Sequence, residues 1–294
     1  MILELKRYIQ TVFIFYIAFI WGFNLCHAQK KQGKPLTPFF RKAGESKIVD
    51  RSVITAYYAF NAIKNDDIST YIDYQKLQIG KNIIKYCSEW IYQAEVKQDK
   101  FRQAHPHTNN VPHFLDFNKG EYWNEYQYSD YFIQLGKITV YTSMPFAADQ
   151  YNCYYQEPYP LMKCSLCNEK CEILGYECQK ATCLFRGRNY IAWFAPLIPV
   201  QHGPWKFGGL PGLILKVSDT QNIYTFECVR LTKQPQDITR RPFNGYEATK
   251  RTLVLKLARK FNENYDQATG ATTRDNQGRV VMSQKQKYEP LELE

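Results

Sequence analysis

Eight cysteines follow residue 28: Cys87, Cys153, Cys164, Cys167, Cys171, Cys178, Cys183 and Cys228. Their thiols could bridge, ligate a metal or exchange electrons. Cys164-x2-Cys167-x3-Cys171 has the spacing of a thiolate metal site, and Cys153 could supply a fourth ligand. The C-x-x-C pair could also take part in disulfide exchange. An even cysteine count in an exported chain favours bridges over both. If residues 175–185 form one extended strand, Cys178 and Cys183 lie on opposite faces and ~16 Å apart. Bridged Cα atoms sit ~4.4–6.8 Å apart. Each would then bond elsewhere, with Cys228 and Cys153 available. The segment 153–183 reads as a cysteine-rich loop, a stapled insertion.

Histidine and arginine offer fewer combinations. His105, His107 and His113 sit in a Pro- and Asn-rich connection with Asp116 close behind. Such a set could gather copper, nickel or zinc. Its spacing fits neither helix nor strand, so a solvated loop is the simpler reading. His202 stands beside Gly203-Pro204 with no serine or cysteine in view for it to activate, and a lone histidine is weak ground for acid–base work. Arg186 and Arg188 flank a glycine in an expected hairpin turn. They are either solvated or a paired grip for carboxylate or phosphate. No nucleophile elbow, H-E-x-x-H, Walker or dinucleotide signature occurs. No cofactor is expected, and enzymatic activity is not the favoured reading.

The run Gly203-Pro204-Trp205-Lys206-Phe207-Gly208-Gly209-Leu210-Pro211-Gly212 leads straight into Leu213-Ile214-Leu215. Leu210-Pro211-Gly212 fits a type II turn, with proline presetting φ and glycine taking the positive φ that follows. Trp205 and Phe207 would each bury ~150–250 Å² if covered. They are either packing for a rigid approach to a central strand or a surface that meets a ligand or partner. Trp193 on the preceding strand reads as core.

These residues resemble the GLPGLI family of secreted proteins from Bacteroidetes-type bacteria. The likeness extends through Gly175-Tyr176-Glu177-Cys178-Gln179-Lys180-Ala181 and Gly187-Arg188-Asn189-Tyr190-Ile191-Ala192-Trp193. Ile198-Pro199 stands ahead of Gly203-Pro204 as the family pattern has it. Leu77-Gln78-Ile79-Gly80 with Tyr86-Cys87-Ser88 resembles its N-terminal pattern. Tyr288-Glu289-Pro290-Leu291-Glu292-Leu293-Glu294 resembles its ending, with Glu289 and Leu291 departing from it. The resemblance implies an exported β-rich domain and no particular reaction.

The N-terminus agrees with export. Lys6 and Arg7 precede an apolar run over 12–23, and Cys26-His27-Ala28 offers a small-x-small cleavage site before Gln29. An uncleaved anchor and lipidation of Cys26 are the alternatives, the latter opposed by the bulky Leu25. The apolar run is shorter than the ~20 residues of a spanning helix, and no later run could span a membrane. The expected division is a signal over 1–28 and one β-rich domain over 29–294. The expected location is periplasmic or secreted. The formal charge is +10. The basic residues are scattered, which suits a solvated surface or attraction to anionic envelope lipid or polysaccharide. Nucleic acid is not an expected partner.

Tyrosine (23) and phenylalanine (18) are abundant, and both suit half-buried pleated surfaces. Strands are predicted over 53–63, 70–79, 81–87, 126–134, 137–142, 150–155, 175–185, 190–194, 213–218 and 223–229. Ser88 should cap a helix that ends near His105-Pro106. A basic amphipathic helix is predicted over 247–265, and a polar loop over 268–283. The fold class is therefore α+β, mainly β: a curved antiparallel meander with one or two helices packed on one side. A sheet cupping its helices would resemble the envelope lipoprotein carriers, by fold analogy alone. Two functions are expected. One is a non-enzymatic binding or chaperone-like protein for an apolar ligand or an envelope partner. The other is a metal or redox protein centred on 153–183; a hydrolase would need a nucleophile beside His202.

Overall fold

The computed structural model describes residues 46–108 and 123–270, with 38, 111, 112, 114, 272–274, 277–281 and 285–293. The signal reading over 1–28, and His113 with Asp116, lie outside the described residues. The fold is mainly β, as expected. Two meanders meet on one long strand. β1 (Lys47–Phe60) pairs on one side with β2 (Asp73–Gly80), and β3 (Ile84–Ser88), β4 (Ser129–Gln134), β5 (Lys137–Thr142) and β6 (Cys153–Pro158) follow in order. On its other side β1 pairs with β11 (Thr225–Thr232). From there the sheet runs back through β10 (Leu213–Asp219), β9 (Arg188–Ala195), β8 (Tyr176–Phe185) and β7 (Lys163–Ile173). β12 (Asp237–Arg240) adds to the start of β1, and β13 (Glu247–Ala248) lies parallel to β6. The result is a large open sheet. A small hairpin, β14 (Thr273–Arg274) with β15 (Val280–Val281), stands apart from it.

Local chemistry sets the two described helices. α1 (Glu89–Ala104) starts where the Ser88 hydroxyl accepts the Ile91 amide at 3.2 Å, and His105 ends it by donating to the Phe101 and Arg102 carbonyls. α2 (Arg251–Thr269) ends at Gly270, whose φ of 73° is the left-handed conformation that glycine takes at low cost. Its stripe of Val254, Ala258, Phe261 and Tyr265 joins the main core. The helix starts later than the pattern suggests, because Glu247 and Ala248 pair with β6 instead.

The cysteine-rich stretch departs most from expectation. Residues 163–173 are a strand and not a loop, joined to β8 through Leu174 and Gly175, both at positive φ as a two-residue hairpin turn requires. Lys163–Ile173 is a mostly exposed edge strand, so it lacks the apolar alternation by which strands are recognised. Its backbone pairing and one bridge hold it. Cys164 and Cys183 are directly opposite on β7 and β8 and are disulfide-bonded. Cys178 and Cys183 nevertheless share the main core. The β7–β8 pairing shifts register between Leu166 and Lys170 by extra residues on β7, while β8 pairs with β9 without a break. Cys87, Cys153, Cys178 and Cys228 are buried thiols, and Cys167 and Cys171 are half-buried thiols. The four-thiolate set Cys153, Cys164, Cys167 and Cys171 does not assemble: Cys164 is held by Cys183, and no metal-binding group of three or more ligands forms among the described residues.

One bridge on an already paired edge hairpin has a limited expected effect. Reduction should cost about 2–3 kcal/mol and loosen the edge before the core. Hydrogen exchange in strong reductant should speed up on β7 and β8 while β1, β2 and β10 stay protected. Uniform loss of protection would show that the bridge holds the whole sheet.

Candidate functional site

Two places bring chemistry-bearing side chains together, one on each face of β4–β6. Strand alternation separates them. Tyr131, Val140 and Tyr155 face the interior, whereas Phe132, Thr139, Tyr141 and Tyr154 face out.

The interior site lies beneath the Gly203–Gly212 loop. Trp205 adopts a φ of 52° and is buried, and Phe207 is wholly buried. Their rings join an aromatic set, with Trp205–Phe207 at 5.0 Å, Tyr190–Phe207 at 4.9 Å and Phe185–Trp205 at 5.7 Å. The loop therefore packs inward and does not present these aromatics to solvent. Its glycines are positions of close approach. A Cβ on Gly212 would lie 2.3 Å from the Ala195 carbonyl oxygen, and one on Gly203 would lie 2.8 Å from Ile214 Cβ. The expected type II turn is absent. The Gly212 amide donates to the Leu210 carbonyl at 2.8 Å, closing a three-residue turn around Pro211. The positive φ falls on Gly209, at 94°. Leu210 and Pro204 are buried, and Trp193 is half-buried against the core.

Lys206 points into this interior. Its ammonium pairs with Glu292 and donates to the Tyr155 hydroxyl at 2.6 Å. Arg251 reaches the other Glu292 oxygen at 2.6 Å, and Arg186 lies 3.7 Å from it. Glu157 joins both arginines, at 2.9 Å from Arg186 and 3.6 Å from Arg251. Burial pulls the Lys206 pKa down, against the opposing pull of Glu292. The adjoining cavity has a volume of ≈ 40 Å³ and is closed by Val254, Leu255 and Ala258 of α2 and by the C-terminal segment. Arg188 is buried and grips that segment, donating to the Pro290 carbonyl at 2.6 and 3.1 Å and to Glu289 at 2.7 Å. Both hairpin arginines thus do hold carboxylates, but the carboxylates are the chain's own.

His202 lies apart from these charges. Its Nδ1 is buried with no hydrogen-bond partner, its ring lies 5.0 Å from that of Tyr159, and burial lowers its pKa to about 4. It is therefore neutral near pH 7. Of the other sequence-marked histidines, His105 caps α1 and stacks on Phe101, and His107 is exposed.

A further buried carboxyl escaped the sequence reading. Asp73 Oδ1 accepts from Ser88 at 2.8 Å and from Gln127 at 3.3 Å, while Oδ2 is buried without a partner. Burial raises its pKa to about 7, despite the opposing hydrogen bonds from Ser88 and Gln127. A carboxyl raised in the folded state binds more protons there than in the unfolded chain. Its stabilising effect is full below the ordinary carboxyl range and is lost as pH climbs through 7. Wild type should therefore lose about 4 kcal/mol through this group between acid and mildly alkaline pH. Asp73→Asn should remove that slope, read as the difference between the two proteins in urea unfolding at several pH values. Parallel pH profiles would refute it.

The outer site is a groove of ≈ 470 Å³ lined by Phe132 and Gln134 of β4, Lys137, Thr139 and Tyr141 of β5, Tyr154 and Gln156 of β6, and Arg240 of β12, with Leu135 at the turn. The chain after β12 folds over this face. Phe243 stacks on Tyr141 with ring centroids 3.7 Å apart, and Tyr141 stacks on Tyr154 at 5.1 Å. The Arg240 guanidinium lies 5.1 Å from the Phe132 ring and 5.3 Å from the Tyr141 ring, and donates to the Tyr141 hydroxyl. Gln156 donates to Thr139 at 3.1 Å. None of the expected site residues lies in this groove. The signal that could have found it is the run of outward aromatics at Phe132, Tyr141 and Tyr154, where alternation asks for polar side chains.

A family model described as a protein of unknown function (Porph_ging) matches residues 186–216. This stretch spans the arginine hairpin and the Gly-rich loop. No curated protein matches the chain. Two crystal structures of PNGF-II, in space groups P21 and C2, are similar to it with TM-scores of 0.46 and 13% identity, each match covering 72% of this chain. They cover 34% and 33% of those chains, so this chain spans about a third of their length.

Proposed function

We propose that this chain is an exported, non-enzymatic binding protein and that its ligand or envelope partner docks in the outer groove. The supporting observation is the contrast in room on the two faces, ≈ 470 Å³ outside against ≈ 40 Å³ inside. Small-molecule sites usually offer ~300–1,000 Å³. A lipid chain could enter the inner space only by parting α2 and the C-terminal segment from the sheet, so the concave face is not where we place the ligand. Export rests on the basic and apolar N-terminus and on the resemblance to the GLPGLI proteins.

The test is co-sedimentation with a washed envelope fraction. Wild type should pellet, whereas Tyr154→Ala should stay in the supernatant with a nearly unchanged melting temperature. Equal partition of the two proteins would sink the proposal.

A further inference from the structure

We infer that the groove takes an acidic saccharide of the uronate class, an inference that rests on the binding reading above. Its charge is one-sided. Lys137 and Arg240 line it, no carboxylate does, and neither cation has a carboxylate partner among the described residues. One Arg240 N–H bonds to the Tyr141 hydroxyl, and a guanidinium has five such donors in a fork suited to a carboxylate. Two cations elsewhere meet carboxylates, whereas Lys85 donates instead to the Thr239 carbonyl at 2.8 Å. Lys76 meets Glu89 at 2.5 Å, and Arg241 meets Asp130 at 3.2 Å. Among the described residues, Lys137 and Arg240 leave the groove with uncompensated positive charge.

Its other walls suit a sugar ring. The C–H faces of a pyranose are apolar and slightly positive, which complements the negative face of an aromatic ring. Tyr154 is half-buried and offers such a face, held in place by its stack on Tyr141. Gln134, Thr139 and Gln156 provide neutral donors and acceptors for ring hydroxyls, and the Gln156–Thr139 hydrogen bond orients two of them before any ligand arrives. A lipid phosphate would engage the cations and leave the aromatic and amide walls unused. A uronate engages all three kinds of wall.

The experiment is calorimetric titration of the full-length chain with oligogalacturonate, with a neutral galacto-oligosaccharide of equal length, and with phosphatidylglycerol vesicles. Oligogalacturonate should bind, the neutral sugar should bind at least tenfold more weakly, and added salt should weaken the acidic ligand only. Lys137→Gln, at an exposed turn, should weaken oligogalacturonate several-fold, and Tyr154→Ala should abolish its binding. Equal affinity for the neutral sugar, preference for vesicles, or indifference to both substitutions would overturn the inference. If Tyr154→Ala releases the chain from the envelope fraction while oligogalacturonate fails to bind, the ligand class is wrong and the groove stands. If oligogalacturonate binds wild type and Tyr154→Ala alike, both the groove and this inference fall.

Discussion

Glu292→Ala should cost about 3–5 kcal/mol of stability, the usual result of removing one partner from a buried ion pair. Glu292 is the point where Lys206, Arg251 and Arg186 converge, and its side chain is 4% exposed. Removing it leaves the Lys206 ammonium, itself 2% exposed, with a tyrosine hydroxyl as its remaining close partner. Lys206→Met should cost less, because Glu292 then keeps two arginines. The double change Lys206→Met with Glu292→Leu should recover part of the loss, since the lysine no longer faces an empty place. Thermal melts of the three variants decide the matter. Wild-type melting of Glu292→Ala would show that the ion pairs of Glu292 contribute nothing to stability.

The pH response of Glu292→Ala carries a second reading of the same contact. Burial already lowers the Lys206 pKa, and loss of Glu292 removes the group that opposes this. In the variant the folded state should release the Lys206 proton at lower pH than the unfolded chain does. The unfolded state then binds more protons between those two pKa values, and stability rises with pH across that window. The deficit relative to wild type should therefore shrink on the alkaline side.

The sequence was most legible where one local rule decides. Ser88 before an apolar periodic stretch marked α1, and Gly187 between two arginines marked a hairpin turn, where Arg186 and Gly187 take positive φ. The alternating strands between 129 and 142 and between 213 and 232 also read directly, because one face of each packs on the core. Legibility failed where the partner is distant in sequence. Nothing near Arg188 indicates that its carboxylate is Glu289, about a hundred residues on. Nothing near Tyr141 indicates that Phe243 will cover it. The edge strand 163–173 was missed for the opposite reason, since an exposed edge held by backbone bonds and a bridge needs no apolar code.

The C-terminal segment and the Gly-rich loop form one device. The loop aims Lys206 inward, the tail returns Glu292 to meet it, and Arg188 fixes the tail by its Glu289 side chain and Pro290 carbonyl. Tyr190 adds a hydrogen bond to the Leu291 carbonyl at 3.3 Å. On the proposed reading, the motif-rich block 173–215 relates to function indirectly, by closing the interior while the outer face of β4–β6 binds.

Phe207→Ala tests that division of labour. Phe207 is fully buried among Phe185, Tyr190, Trp205 and Phe226, with ring centroids at 4.9–5.7 Å. Truncating such a ring should cost ~3–5 kcal/mol, from lost transfer energy and from the cavity left behind. The surrounding rings are held by three strands, β8, β9 and β11, and a glycine-locked loop, so little collapse into the hole is expected. The groove lies across the sheet, and none of its lining residues belongs to the loop. Below its melting transition the variant should therefore bind the envelope fraction as wild type does, molecule for molecule. Urea unfolding and co-sedimentation measured on the same preparation separate the outcomes. Lost binding at intact stability would return the site to the Gly203–Gly212 loop, and a large fall in stability with binding retained assigns that loop to architecture.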